Sequence, residues 1–81
     1  MASPYFLLAY GDIEFARGHV AEALKFYRRA HRQNSKLVEP LLAIARAEQK
    51  LGNEKAATKA LDKASKLIAA EGGEALAKDT P

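Results

Sequence analysis

The chain is 81 residues long, 48% hydrophobic and 28% charged, with a net charge of +3 and no cysteine, which bounds it to one small domain of narrow stability. The apolar content supplies a core and argues against disorder over most of the length. Without cysteine there is no disulfide framework and no cysteine-based zinc site.

The elements follow in chain order. The run Tyr5-Phe6-Leu7-Leu8-Ala9-Tyr10 has no basic region before it and is too short to cross a bilayer or to act as a signal peptide. This predicts a soluble, cytoplasmic chain without a transmembrane segment, or a soluble piece of a longer one. Ser3-Pro4 suits an N-cap followed by the first helical position. Helical spacing then runs to Arg17, and Gly18 can take the positive φ that closes a helix. Val20, Ala23, Leu24, Tyr27, Ala30 and His31 recur at i, i+3, i+4 and i+7, predicting a second helix that ends near Asn34-Ser35. Pro40 belongs in the first turn of a third helix over 38–51. Gly52 closes that helix, and Asn53 caps a fourth running to about Ala70. Gly72-Gly73 is expected to break the pattern, leaving 72–81 as a flexible or partly helical tail. No segment alternates with period two, so no strand is expected. The class is all-α: four main helices in two antiparallel hairpins plus a short C-terminal tail.

Gly18 and Gly52 are 34 residues apart. Sliding residues 4–34 onto 38–68 places Leu7 on Leu41, Leu8 on Leu42, Ala9 on Ala43, Glu14 on Glu48 and Gly18 on Gly52. It also matches Ala23 with Ala57, Lys25 with Lys59, and Ala30 with Ala64. Eight identities exceed the roughly two or three that this composition gives by chance. The pattern of residue types repeats as well: Leu7, Tyr10, Gly11, Ala23, Tyr27 and Ala30 in the first unit, and Leu41, Ile44, Ala45, Ala57, Leu61 and Ala64 in the second. Gly11, Ala23, Ala45 and Ala57 are small where paired helices approach, while Leu7, Tyr10, Tyr27 and Leu61 are expected to fill the space around them.

In this period and pattern the chain resembles the tetratricopeptide repeat family, whose unit is a 34-residue helix-turn-helix. It departs from the family at Glu14 and Glu48, where an aromatic is usual, and at Ser35 and Ala69, which replace a closing proline. The resemblance implies a short right-handed solenoid segment over 1–71, with repeats of about 4–37 and 38–71. It further implies a scaffold that binds a peptide or helix of a partner protein in a concave groove lined by the first helix of each repeat. Carried over by position, the groove holds Tyr5, Leu8, Asp12 and Phe15 from the first unit and Glu39, Leu42, Arg46 and Gln49 from the second. The competing reading of Leu8, Phe15 and Leu42 is as core, since apolar stripes at helical spacing usually are. A subclass that clamps a terminal carboxylate is disfavoured, because Leu8, Asp12, Ala43 and Arg46 offer one cation and one repelling carboxylate.

Two further surfaces follow from charge and from the repeat. Lys25, Arg28, Arg29 and Arg32 on the second helix, with Lys55, Lys59, Lys63 and Lys66 on the fourth, form a candidate basic ridge on the convex side. A pI near 9.3 would let that ridge meet an anionic surface or nucleic acid, which is the alternative function. The aromatic residues that stack on bases are missing from it, which argues against nucleic acid, and a solvated face is the simpler reading. Two repeats are fewer than a stable array needs. Ala60, Leu61, Ala64, Leu67 and Ile68 on the last helix are therefore expected to be partly bare. They form a candidate self-association face for a homodimer or a longer array unless residues 74–78 fold back as a lid. No catalytic constellation is visible. His19 and His31 are the only histidines; His31 is expected to be a packed, hydrogen-bonded residue, and His19 to meet a backbone group or water. The chain is expected to be no enzyme, to use no cofactor or metal, and to take no small-molecule substrate.

Overall fold

A computed structural model describes the backbone of residues 2–79 and the side chains of residues 2–71. Four helices follow in order, α1 (Pro4–Ala16), α2 (Val20–Gln33), α3 (Val38–Lys50) and α4 (Glu54–Asp79), and no strand occurs among the described residues. Helix α1 starts where Ser3 Oγ accepts the Phe6 N–H at 3.2 Å and Pro4 occupies the first turn, so one orphan donor is satisfied and another was never present.

The two hairpin corners are the same structure repeated. Gly18 and Gly52 both have φ of +84°, a conformation in which any side chain would be strained. In the first corner the Gly18 N–H donates to the Phe15 carbonyl at 3.0 Å and the His19 N–H to the Glu14 carbonyl at 2.8 Å. In the second, Gly52 donates to Gln49 at 3.1 Å and Asn53 to Glu48 at 2.8 Å. Each is a Schellman closure, in which the left-handed residue lets the chain turn back and satisfy the last carbonyls of the helix. Between the hairpins, Asn34 leaves helical geometry and its Oδ1 accepts the Lys36 N–H at 3.1 Å. Pro40 lies buried in the first turn of α3.

The expected break at Gly72-Gly73 does not occur, because α4 continues helically to Asp79. A glycine inside a helix costs only about 1 kcal/mol relative to alanine, and the Ala, Leu and Lys that follow favour helix. Residues 74–78 therefore extend α4 and do not turn back over it; their side chains lie outside the described residues.

Helices α1 and α2 pack as one pair and α3 and α4 as another, with α2 against α3 joining the pairs and α1 touching α3 lightly. The core gathers Val20, Ala23, Leu24 and Tyr27 of α2 with Ile44, Ala45 and Ala47 of α3 and Ala60 of α4. Leu8, Phe15 and Ala43 pack against its edge, so the reading of Leu8 and Phe15 as core is partly correct. Burying Tyr27 and Leu7 fully stabilises the fold by roughly 1.5–3 kcal/mol each. The small-beside-large pairing is literal at Gly11, where a Cβ would lie 2.7 Å from Cδ1 of the Tyr27 ring and closer still to Cε1.

Equivalent positions in the two units share burial at Leu7 and Leu41, Ala23 and Ala57, and Ala30 and Ala64. Two expected space-fillers are instead exposed. Tyr10 lies on the outer side of α1, against Phe26 at its edge. Leu61, the counterpart of buried Tyr27, has no helix packed over it among the described residues.

Candidate binding groove

The first helix of each hairpin contributes one face to an open concavity of about 470 Å³. Leu8 and Asp12 come from α1, and Glu39, Leu42, Ala43 and Arg46 from α3, at spacings that keep each set on one side of its helix. Leu8, Leu42 and Ala43 make the floor apolar, while Glu39 stands at one end and the Asp12–Arg46 pair at the other. Five of the eight predicted groove residues thus meet. Tyr5, in the first turn of α1, is exposed outside the concavity. Gln49, in the last turn of α3, lines a separate 130 Å³ recess with Glu54, Ala57, Thr58 and Leu61. Phe15 is half-buried beneath the Arg46 guanidinium, whose centre lies 4.5 Å from the ring centroid, a favourable cation–π arrangement.

The polar end of the groove is tied into the core. Asp12 Oδ1 accepts the Tyr27 hydroxyl at 2.6 Å and Arg46 Nη2 at 3.2 Å, and Arg46 Nη2 also donates to Tyr27 Oη at 3.1 Å. One residue from each of α1, α2 and α3 is thereby joined. The Tyr27 phenol is pushed up to about 12, first by burial and then by its bond to Asp12, with Arg46 acting in the opposite direction; it therefore stays a donor at any physiological pH. Arg46 is held within the molecule by Asp12. The sequence carried a signal for this pair: Asp12 and Arg46 are 34 residues apart and opposite in charge, so equivalent positions of adjacent units face each other. The part of Tyr27 in it carried no sequence signal beyond its burial.

Glu14 and Glu48, two of the four departures from the tetratricopeptide pattern, serve the corners. His19 Nδ1 donates to Glu14 Oε2 at 2.8 Å, and Asn53 Nδ2 donates to Glu48 Oε1 at 3.1 Å. His19 thus meets a carboxylate, not a backbone group or water, because the Schellman turn brings its ring back over the last turn of α1. Arg17 adds an exposed contact to Glu14 at 3.3 Å, whereas Arg28 reaches from α2 to buried Glu48 at 3.0 Å.

That contact also divides the basic ridge. Arg28 is neutralised by Glu48, and Lys25 pairs with Glu22 at 3.5 Å. Lys55 and Lys59 border a recess that includes Glu54 and Asp62. Lys59, Lys63 and Lys66 instead lie beside His31 along two adjoining recesses between α2 and α4, floored by Leu41, Ile44, Ala60 and Leu67. Arg29 and Arg32 are exposed and line neither recess. The eight cations do not form one continuous ridge, because the acidic neighbours interrupt it.

The candidate self-association face is corrected more sharply. Ala60 and Ala64 are buried within the chain, Leu67 is half-buried, and only Leu61 and Ile68 are exposed. Alanines lie on the side of α4 that meets α3, where the helices come close, so the apolar stripe is mostly used internally.

His31 is half-buried, and its buried Nδ1 has no hydrogen-bond partner among the described residues, contrary to the expected satisfied histidine. Burial, and secondarily the charge of Lys63, hold its pKa below the usual 6.5. A base with a depressed folded-state pKa contributes stability above its unfolded value, and loses it as pH falls through the folded value. Melting temperature should therefore be level above about pH 7 and decline below about pH 6.5, before the carboxylates titrate. His31→Gln should flatten that decline. An unchanged pH profile in the variant would assign the decline to other groups.

Among the described residues no group of three His, Cys, Asp or Glu side chains is placed to hold a metal ion, and no helix is long and apolar enough to cross a membrane. Comparison of the chain with family models, with curated proteins and with solved structures finds no match.

Proposed function

We propose that the chain is a protein-interaction module of tetratricopeptide type. In this reading two units form a short right-handed solenoid segment that holds an apolar peptide or helix of a partner protein between α1 and α3, without catalytic chemistry. The observation that carries the reading is the apolar floor of the concavity. Leu8 and Leu42 occupy equivalent positions of the two units and converge there, and Leu42 remains exposed although its neighbour Leu41 is buried. The 34-residue period and the matching corners support the family assignment. Asp12 and Arg46 neutralise each other, whereas Glu39 has no ion-pair partner among the described residues. The favoured ligand is therefore an apolar segment with a Lys or Arg placed to reach Glu39.

Peptide display against the full chain tests this. Selected peptides should lose at least about tenfold in affinity, roughly 1.4 kcal/mol, on Leu42→Glu and keep it on Lys59→Glu with Lys63→Glu. Leu42 is the cleaner site because Leu8 also supports the core; circular dichroism of each variant verifies the fold. The reverse pattern would select the second reading, an anionic partner in the recesses between α2 and α4. That reading is favoured by one observation, the placement of Lys59, Lys63 and Lys66 along those recesses.

A further inference from the structure

We infer that the outer face of α1 is a self-association surface on which a second copy of this chain docks its own α1 across a two-fold axis. Helix α1 carries apolar residues on three sides, its only charges being Asp12 and Glu14 near the C-terminal end. Leu7 and Gly11 face α2, and Leu8 faces the groove. Its third side carries Phe6, Tyr10 and Ile13, which are 64%, 52% and 55% exposed. They stand at i, i+4 and i+7, one continuous stripe. Scattered exposed apolar residues are ordinary on a monomer, but a contiguous patch of this kind marks an interaction site.

The internal repeat shows that these are docking positions. Adding 34 to each number gives Pro40, Ile44 and Ala47, all three buried and set on the helix that joins the second hairpin to the first. The same positions of α1 carry large apolar side chains that stay more than half exposed, with Tyr10 leaning on the Phe26 ring at one edge.

Charge and shape select the occupant. Residues 2–11 contain no charged side chain, and the two carboxylates that flank Ile13 are engaged within the chain, Asp12 by Arg46 and Glu14 by Arg17 and His19, so the stripe offers no free charge to recognise a charged partner or to repel an identical one. Stacking head to tail is disfavoured. The positions through which α2 receives α3, Val20, Leu24 and Tyr27, are matched on α4 by Glu54, Thr58 and Leu61, and two of these three are polar. An antiparallel pairing of two α1 helices buries the stripe on both copies, with Phe6 of one protomer against Ile13 of its partner and Tyr10 beside the axis. Such an interface is isologous and closed, so it stops at two copies.

Sedimentation of the full chain between about 10 μM and 1 mM, the range in which an interface of this small size class exchanges, should show the mass rising toward twice 8.8 kDa. Added salt should not reverse the rise. Phe6→Glu and Ile13→Lys, both at exposed positions, should each give a monomer with unchanged helicity. Mixing the two variants should restore a dimer, because the antiparallel register places the new carboxylate against the new ammonium. A wild-type chain that stays monomeric throughout overturns the inference. So does a dimer broken by Leu61→Glu but not by Phe6→Glu or Ile13→Lys. Failure of the mixture to associate overturns the antiparallel register.

Discussion

Truncating Tyr27 to alanine is expected to cost about 3–5 kcal/mol, the range for removing a fully buried aromatic side chain. A chain of this length has a total stability of roughly 4–12 kcal/mol, so the variant should be largely unfolded or melt far below the wild type. The ring is the largest fully buried side chain and fills the space that Gly11 leaves on α1. Without it, α1 loses its main support and the Asp12–Arg46 pair loses its anchor. Tyr27→Phe separates the two contributions. It keeps the ring and removes only the hydroxyl, and should cost about 1 kcal/mol, because Asp12 and Arg46 are exposed and can still pair. Urea unfolding followed by circular dichroism measures both. A Tyr27→Ala variant within 1 kcal/mol of the wild type would show that the ring is not the main support of α1.

The second large effect concerns two arginines that pair with equivalent glutamates in different surroundings. Arg17→Ala should cost no more than about 0.5 kcal/mol, since its pair with Glu14 is surface-exposed. Arg28→Ala should cost about 1–3 kcal/mol, because it leaves a buried carboxylate short of a partner. The contrast rests on exposure: the Glu48 side chain is 4% accessible and that of Glu14 is 21%. Changing Glu48 to Gln first should remove most of the cost of losing Arg28, since a neutral amide does not require the cation. Equal costs for the two arginines, or no rescue by Glu48→Gln, would mean that burial of the carboxylate does not set the penalty.

The parts of the fold that were legible in the sequence are those decided locally. Ser3-Pro4, Gly18, Gly52 and Pro40 mark boundaries through chemistry that acts within one turn, and each boundary lies within a residue or two of its expected place. Gly72-Gly73 misled because two glycines impose a small cost that neighbouring residues can offset, whereas positive φ at Gly18 and Gly52 cannot be offset by any neighbour. The groove was legible to the extent that a 34-residue period determines which residues share a face. It could not reveal how far along two converging helices the contact extends, and Tyr5 and Gln49 fall at opposite ends, outside it.

Side-chain size was the neglected signal on α4. An apolar stripe read as one face divides into alanines that approach α3 and large residues, Leu61 and Ile68, that point away. On α1 the same signal was stronger still, since Phe6, Tyr10 and Ile13 occupy positions that an isolated amphipathic helix gives to polar residues. The contacts that cross between helices, from Tyr27 to Asp12 and from Arg28 to Glu48, depend on the packed arrangement and have no counterpart in local pattern.

The shared oxygen at Asp12 gives the molecule a built-in indicator. Of three tyrosines and no tryptophan, Tyr27 alone is shielded from solvent, and its hydroxyl ends on the same carboxylate that steadies Arg46 at the rim of the concavity. Whatever draws Arg46 or Asp12 toward an incoming segment alters the hydrogen bonding of a chromophore in the interior. The ultraviolet absorption and ring resonances of this single residue therefore register occupancy at the surface without any added label.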